Sequence, residues 1–338
     1  MKLGLLLNVE YPLEDAPHRR IEEHVEQVRA ARRAGFDLIG VPQHYSRGAS
    51  FWFSPIPMAA RIVPELGPMR LGLAVLLLPL YHPVEVAEQV TFLDAATDGR
   101  FVFGAGLGWV KEEFAALGVP MEERGSRFEE GIEILRRLWR GETVRFAGRH
   151  YALEDVRLSI PPSRSGGPPI WIGGNSARAA IRRAARLGDV WILSAHPSIR
   201  VLREQVQVYE AEREAAGLPL PDERPVIRNF YIGRDYDAAV AKAKRFYEAS
   251  YQILGQWGIF EEVLQLGKRQ ARGRELEEGR LIAGGPEECL EQIDRYRTEL
   301  GATLLILRLQ WLGMPNEDVL EAIQILGEEV IPRLASAG

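Results

Sequence analysis

The chain has 338 residues, of which 46 % are hydrophobic and 26 % charged, the proportions of a globular protein and not of a disordered one. Its net charge of −5, with no basic block standing clear of acidic neighbours, argues against a nucleic-acid binder. The single cysteine, Cys289, leaves no intrachain disulfide to form, and within the amphipathic PEECLEQI it reads as a packed thiol.

The opening MKLGLLLNVEY is a first strand, Leu3–Val9, and not a signal peptide, because Asn8 and Glu10 interrupt a short apolar run. A helix at Ile21–Ala34, ended by Gly35, leads to a second strand at Asp37–Val41. A short helix follows at Pro55–Glu65. Then come a strand at Leu71–Leu78, a helix at Val84–Ala96, a sharp Asp98-Gly99 turn and a strand at Phe101–Leu107. The longest apolar run, Leu71–Tyr81, is too short to span a bilayer and contains Pro79, so a soluble cytoplasmic protein is expected. Arg127–Trp139 is a strongly periodic helix. Residues 141–168 break the rhythm with a small hairpin and the loop PPSRSGGPP.

The alternation resumes with Pro169–Ile172, Ala177–Leu187, Val190–Leu193, Ile199–Ala216, Val226–Ile232 and Ala238–Leu254. A polar segment spans Gly255–Leu281. The chain closes with a helix at Pro286–Leu300, a strand at Thr303–Leu309 and a helix at Asp318–Leu334. Eight apolar strands alternating with helices predict a single-domain α/β fold over residues 1–338, a parallel (β/α)8 TIM barrel with insertions at about 141–168 and 255–281. A doubly wound open sheet is the structural alternative.

In such a barrel the active site lies at the C-terminal ends of the strands. That rule selects Asn8 and Glu10, Gln43 to Tyr45, Leu77 to His82, Gly106 to Trp109, Gly173 to Ser176, Ser194 to His196, Tyr231, and Gln310 with Trp311. Gly173, Gly174, Asn175 and Ser176 sit between a strand and a helix. Two glycines admit a ligand close to the backbone, and Asn175 or Ser176 can cap the helix, which together suit a phosphate; an ordinary capped turn is the other reading. Gly104, Gly106 and Gly108 lack dinucleotide-fingerprint spacing and fit better as strand-end glycines against a flat ring.

His44 in VPQHY is placed to move a proton, or else to serve as a hydrogen-bonded support. No His/Cys cluster predicts a metal site, and no G-x-S-x-G predicts a hydrolase nucleophile. Tyr45, Phe51, Trp52, Phe53, Tyr81 and Trp109 could line an apolar substrate pocket; core packing or a subunit interface is open for Phe51 to Phe53.

Several stretches in order, MKLGLLL, AGFDLIGVPQHY, LLLPLYHPVEVAEQVTFLDAATDGRFVFGAGLGW, the EEFAALGV segment with the following RG-x-R-x-x-E, PPIWIGGNSARA and PEECLEQIDRY, resemble the bacterial luciferase-like monooxygenase family of flavin-dependent oxidoreductases. The resemblance covers nearly the whole chain and implies a (β/α)8 barrel. It places His44 as the active-site histidine, a non-prolyl cis peptide at Ala74–Val75 beneath the flavin ring, Gly106 at the ring-contacting end of the fourth strand, and Asn175 and Ser176 on the phosphate-binding turn. It also implies a homodimer. Where luciferase carries an arginine near the phosphate this chain has Leu107, which shifts phosphate binding onto residues 173–176, with His196 or Arg308 as helpers.

Two cofactors are compatible with the resemblance. Reduced FMN, as a cosubstrate from a separate flavin reductase, would activate dioxygen for a monooxygenase acting on a small apolar organic substrate, and this is the leading expectation. The deazaflavin coenzyme F-420 would instead exchange hydride in a dehydrogenase or reductase on the same barrel. A non-catalytic flavin-binding barrel is the third reading.

Overall fold

The computed structural model describes residues 1–8, 10–45, 50–174, 177–237, 239–243, 245–246 and 279–336. Eight parallel strands close into a barrel: β1 (Lys2–Leu6), β3 (Leu38–Val41), β5 (Arg70–Leu73), β7 (Phe101–Gly106), β10 (Ile170–Gly174), β11 (Val190–Leu193), β12 (Pro225–Ile232) and β14 (Leu304–Arg308). β14 closes the ring by pairing with both β1 and β12, with Leu3 opposite Leu305 and Val226 opposite Leu305. These are the eight strands expected from the sequence.

The alternation of each strand sorts its side chains into two layers. Leu3, Leu5, Ile39, Phe101, Phe103, Ile170, Leu305 and Leu307 face outward into the shell shared with the helices. Leu6, Leu38, Val102, Trp171, Val190, Ile192, Leu304 and Ile306 fill the barrel interior, with Val75 and Ile227 packed against them. The helices carry the stop signals their sequence offers. Helix α1 (Pro17–Ala34) has Pro17 in its first turn and ends at Gly35, whose φ of 88° is left-handed. Asp98 and Gly99 both adopt positive φ, which makes the tight turn between helix α3 (Pro83–Ala96) and β7. Cys289 is wholly buried, and burial pushes its thiol well above its ordinary value. No helix among the described residues is long and apolar enough to cross a membrane.

Three departures from the expected element order bear on the site. The expected strand at Leu71–Leu78 is interrupted: β5 stops at Leu73, the Ala74–Val75 peptide is cis, and a short β6 (Leu76–Leu77) resumes beside β7. Residues beyond the first and second barrel strands form an antiparallel pair, β2 (Glu10–Pro12) with β4 (Ser50–Trp52), so Phe51 and Trp52 belong to a strand and not a loop. Helix α4 (Lys111–Ala116) occupies a stretch with no expected element. The expected hairpin is present as β8 (Val144–Ala147) with β9 (Ala152–Val156). Most of the insertion at 255–281 lies outside the described residues; at its end β13 (Leu281–Gly284), a stretch with no expected strand, pairs in parallel with Asn229–Ile232 of β12.

The β2–β4 pair is anchored on a buried histidine. The Nε2 of His24, on α1, lies 2.5 Å from the Asn8 carbonyl and 2.6 Å from the Tyr11 hydroxyl, with Phe53 edge-on to its ring. Desolvation holds its pKa down to about 4, the Asn8 carbonyl opposing and Arg20 assisting. In the unfolded chain a histidine titrates near ~6.5, so between those two values the unfolded chain binds a proton that the folded chain does not. Stability therefore falls as the pH drops through that window. Urea unfolding at pH 7 and pH 5 should show a loss of roughly 2 kcal/mol from this residue, and His24→Gln should remove that part of the loss. An unchanged pH dependence in the variant would refute the assignment.

Candidate active site

The floor of the barrel mouth is set by Val75. Its side chain packs where β7 and β10 come closest: a Cβ built on Gly106 would stand 2.6 Å from one Val75 methyl, and one on Gly173 would stand 2.9 Å from the other. A Cβ on Gly104 would meet the Leu73 carbonyl oxygen at 1.8 Å. The glycines are thus required by the protein's own packing, and what they create is an apolar floor in which Val75 remains partly exposed above buried Leu6 and Ala74. Ala74, Val75, Gly106 and Gly173 come together here, whereas Gly174, next along β10, faces Ala180.

His44 stands above β3 with 21 % of its side chain exposed. Its Nδ1 donates to Glu113 Oε1 over 2.7 Å, and the same oxygen accepts the Tyr45 backbone N–H at 2.9 Å. Glu113, on α4, is only 1 % exposed, and its Oε2 is buried with no partner among the described residues. With the Nδ1 proton committed to this carboxylate, Nε2 is the ring nitrogen left to accept or return a proton. The side chain of Trp52 lies edge-on to the imidazole at 4.7 Å and that of Trp109 at 6.0 Å, forming walls of low polarity. Glu113 was not among the residues singled out by strand-end position, because it belongs to a short helix one loop beyond β7.

Gln43 and the two tyrosines form the next group. Gln43 is buried; its Oε1 accepts the Leu77 N–H at 2.7 Å and its Nε2 donates to the Tyr81 hydroxyl at 2.7 Å. The Tyr45 and Tyr81 hydroxyls are 2.5 Å apart. Desolvation pushes both phenols above their ordinary value, while the Gln43 amide acts in the opposite sense on each. The aromatic set is therefore not one pocket. Trp52 and Trp109 flank His44 and Tyr45 pairs with Tyr81, whereas Phe51, on the opposite face of β4 from Trp52, packs on Tyr11 and Phe53 at ring distances of 5.6 and 5.5 Å. Trp52 is oriented by its Nε1–H to Ser50 Oγ at 3.3 Å, and Ser50 by Glu10 at 2.9 Å.

Asn175 and Ser176 lie outside the described residues. The helix that follows, α6 (Arg178–Leu187), has Ala177 at its N-cap. On the far side of the mouth, Arg228 is fully buried and donates to the Tyr296 hydroxyl and to the Ser194 and Pro197 carbonyls. Desolvation, then Arg308, Arg228 and Arg280, push the pKa of His196 down to about 4. His196 is therefore neutral at neutral pH. The Arg308 guanidinium lies 4.9 Å over the Trp311 ring.

Comparison with known proteins agrees with this architecture. The monooxygenase RslO1 of Streptomyces bottropensis superposes with a TM-score of 0.87 at 23 % identity, over 99 % of this chain and 100 % of that one, which is a likeness of fold. The 4-hydroxyprotoasukamycin monooxygenase of Streptomyces nodosus subsp. asukaensis is 28 % identical across 98 % of this chain and 92 % of its own length. The F420-dependent glucose-6-phosphate dehydrogenase of Microbacterium testaceum is 25 % identical across 90 % of each. Other curated relatives are matched over only about half of their own length. Residues 1–304 match the family model for luciferase-like monooxygenases, and the chain belongs to that family.

Proposed function

We propose that the protein is a flavin-dependent oxidoreductase of the two-component monooxygenase kind, a homodimer that takes reduced FMN from a separate reductase and acts with dioxygen on a small, largely apolar organic substrate. The observation that carries the reading is the His44–Glu113 pair, flanked by two tryptophans at the same end of the barrel as the apolar floor. A flat ring system with one polar edge fits such a site: the partly exposed Val75 offers a face without polar atoms, and the buried Oε2 of Glu113, without a partner among the described residues, belongs to the carboxylate that holds the histidine. Ala74, Val75 and Gly106 would lie under the ring, and the turn from Gly173 to Ser176 would take the phosphate.

Bound reduced FMN would supply electrons to dioxygen, whereas bound F-420 would exchange hydride. The chain's own part is the same in both cases. His44 Nε2 moves a proton at the reacting edge, and the carboxylate 2.7 Å from Nδ1 stabilises the imidazolium formed when it does so. Trp52 and Trp109 keep water from the histidine.

The F-420 reading is supported by the name of a relative matched along most of its length. Equilibrium titration of the protein with FMN, reduced FMN and F-420 side by side decides between them. Reduced FMN is expected to bind tightest, with substrate-dependent oxygen uptake. Tight binding of F-420 alone, with substrate turnover and no oxygen uptake, would overturn the monooxygenase reading.

A further inference from the structure

We infer that the Tyr45–Tyr81 pair, polarised by Gln43, is a substrate-binding element that donates one phenol hydrogen bond to an oxygen atom of the substrate. The molecule accepted would then be an oxygen-bearing compound, such as a ketone or aldehyde, and not a plain hydrocarbon. This rests on the reading of the barrel mouth as the substrate pocket.

The argument is a count of protons. The Leu77 N–H points at Gln43 Oε1 over 2.7 Å, which fixes the orientation of the amide and makes Nε2 a donor only. That nitrogen donates to the Tyr81 oxygen at 2.7 Å and lowers the proton affinity of both phenols. The two phenols carry two protons between them. The 2.5 Å contact between their oxygens uses one, whichever way it runs. The amide cannot take the other, because it has no lone pair to offer there. Among the described residues no further acceptor reaches either hydroxyl.

Among the described residues one O–H therefore remains to be donated, and both rings are half-exposed, with Tyr45 next to His44 in the chain. The pair is also held in place. The Tyr45 N–H is fixed on Glu113, and the Tyr81 carbonyl accepts from the Tyr151 hydroxyl at 3.3 Å. Desolvation keeps the phenols protonated through the neutral range, so the donor persists there.

The test uses the full-length protein, both cofactor-free and loaded with whichever cofactor binds. Affinities are measured by ligand-observed NMR for matched pairs in which a carbonyl is replaced by a methylene group: cyclohexanone with methylenecyclohexane, and acetophenone with α-methylstyrene. At least one ketone is expected to bind about tenfold tighter than its isostere, the worth of one hydrogen bond to a preorganised donor. The shape-conserving double variant Tyr45→Phe/Tyr81→Phe should abolish that preference. Gln43→Glu should do more. One carboxylate oxygen would still accept the Leu77 N–H, and the other would accept a phenol proton. No donor would then be spare, and cyclohexanol should bind better than cyclohexanone.

Absence of any ketone preference in the wild-type protein, or its survival in the double phenylalanine variant, would overturn the inference. Should Gln43→Glu fail to fold, the double variant alone decides. A ketone preference in a protein that binds neither cofactor would refute the flavin reading and leave this one standing. Cofactor binding without the preference would do the reverse.

Discussion

Replacing His44 with alanine is expected to lower substrate-dependent turnover by about 10²–10⁴-fold while changing cofactor affinity by no more than about threefold, the range that a positioned general acid or base supplies. The reason lies in what the ring touches. Nδ1 is committed to Glu113, the flanks are covered edge-on by Trp52 and Trp109, and Nε2 is left for the reacting edge. Added imidazole should restore part of the lost rate, because the cavity left by the side chain still ends on the Glu113 carboxylate. Glu113→Gln tests the other half of the pair. Its amide oxygen can still accept both the Nδ1–H and the Tyr45 N–H, so geometry is kept and only the charge is lost. A fall of about 10–100-fold in kcat with KM little changed would mark a carboxylate that stabilises the protonated ring in the transition state. Turnover in His44→Ala within threefold of the wild type would remove the histidine from the mechanism.

The sequence carried some parts of this site and concealed others, for physical reasons. The eight strands were legible because each is a short apolar run bounded by turn residues. The Asp98-Gly99 turn was legible because both residues tolerate positive φ. His44 was visible because it directly follows a strand of the barrel. Glu113 was not: the contact joins residues 69 positions apart, and nothing in KEEF distinguishes the buried second glutamate from its exposed neighbour Glu112. The glycines at 104, 106 and 173 could be read as making room, but not for what. The occupant is the Leu73 carbonyl at Gly104 and Val75 at Gly106 and Gly173, and Val75 lies in the break between β5 and β6. Phe51 and Trp52 look equivalent as aromatic neighbours, yet the β2–β4 pairing sends them to opposite faces, and no local pattern announces that pairing. Gln43 was named only by its position. Its role emerges from an amide orientation that depends on a backbone N–H 34 residues away.

The floor makes the second large prediction. In Gly106→Ala the new methyl carbon would stand 2.6 Å from a Val75 methyl, so one of them must move. Overpacking of this sort costs about 1–3 kcal/mol, and because Val75 is the residue that moves, cofactor affinity should fall with stability, by about tenfold or more. Val75→Ala takes away the obstructing methyl groups. The double variant Gly106→Ala/Val75→Ala should therefore regain stability and affinity relative to Gly106→Ala, with a coupling of about 1–2 kcal/mol between the two positions in a double-mutant cycle. Gly104→Ala provides the contrast. Its methyl would meet the Leu73 carbonyl oxygen at 1.8 Å, and a backbone atom in a closed ring of strands cannot step aside. That variant should lose on the order of 4 kcal/mol or fail to fold, and Val75→Ala should not rescue it. Denaturation midpoints for the four proteins of the cycle, together with cofactor titrations, separate the outcomes. Simple additivity of Gly106→Ala and Val75→Ala in both measurements would show that Val75 does not shape the surface on which the ring is proposed to rest.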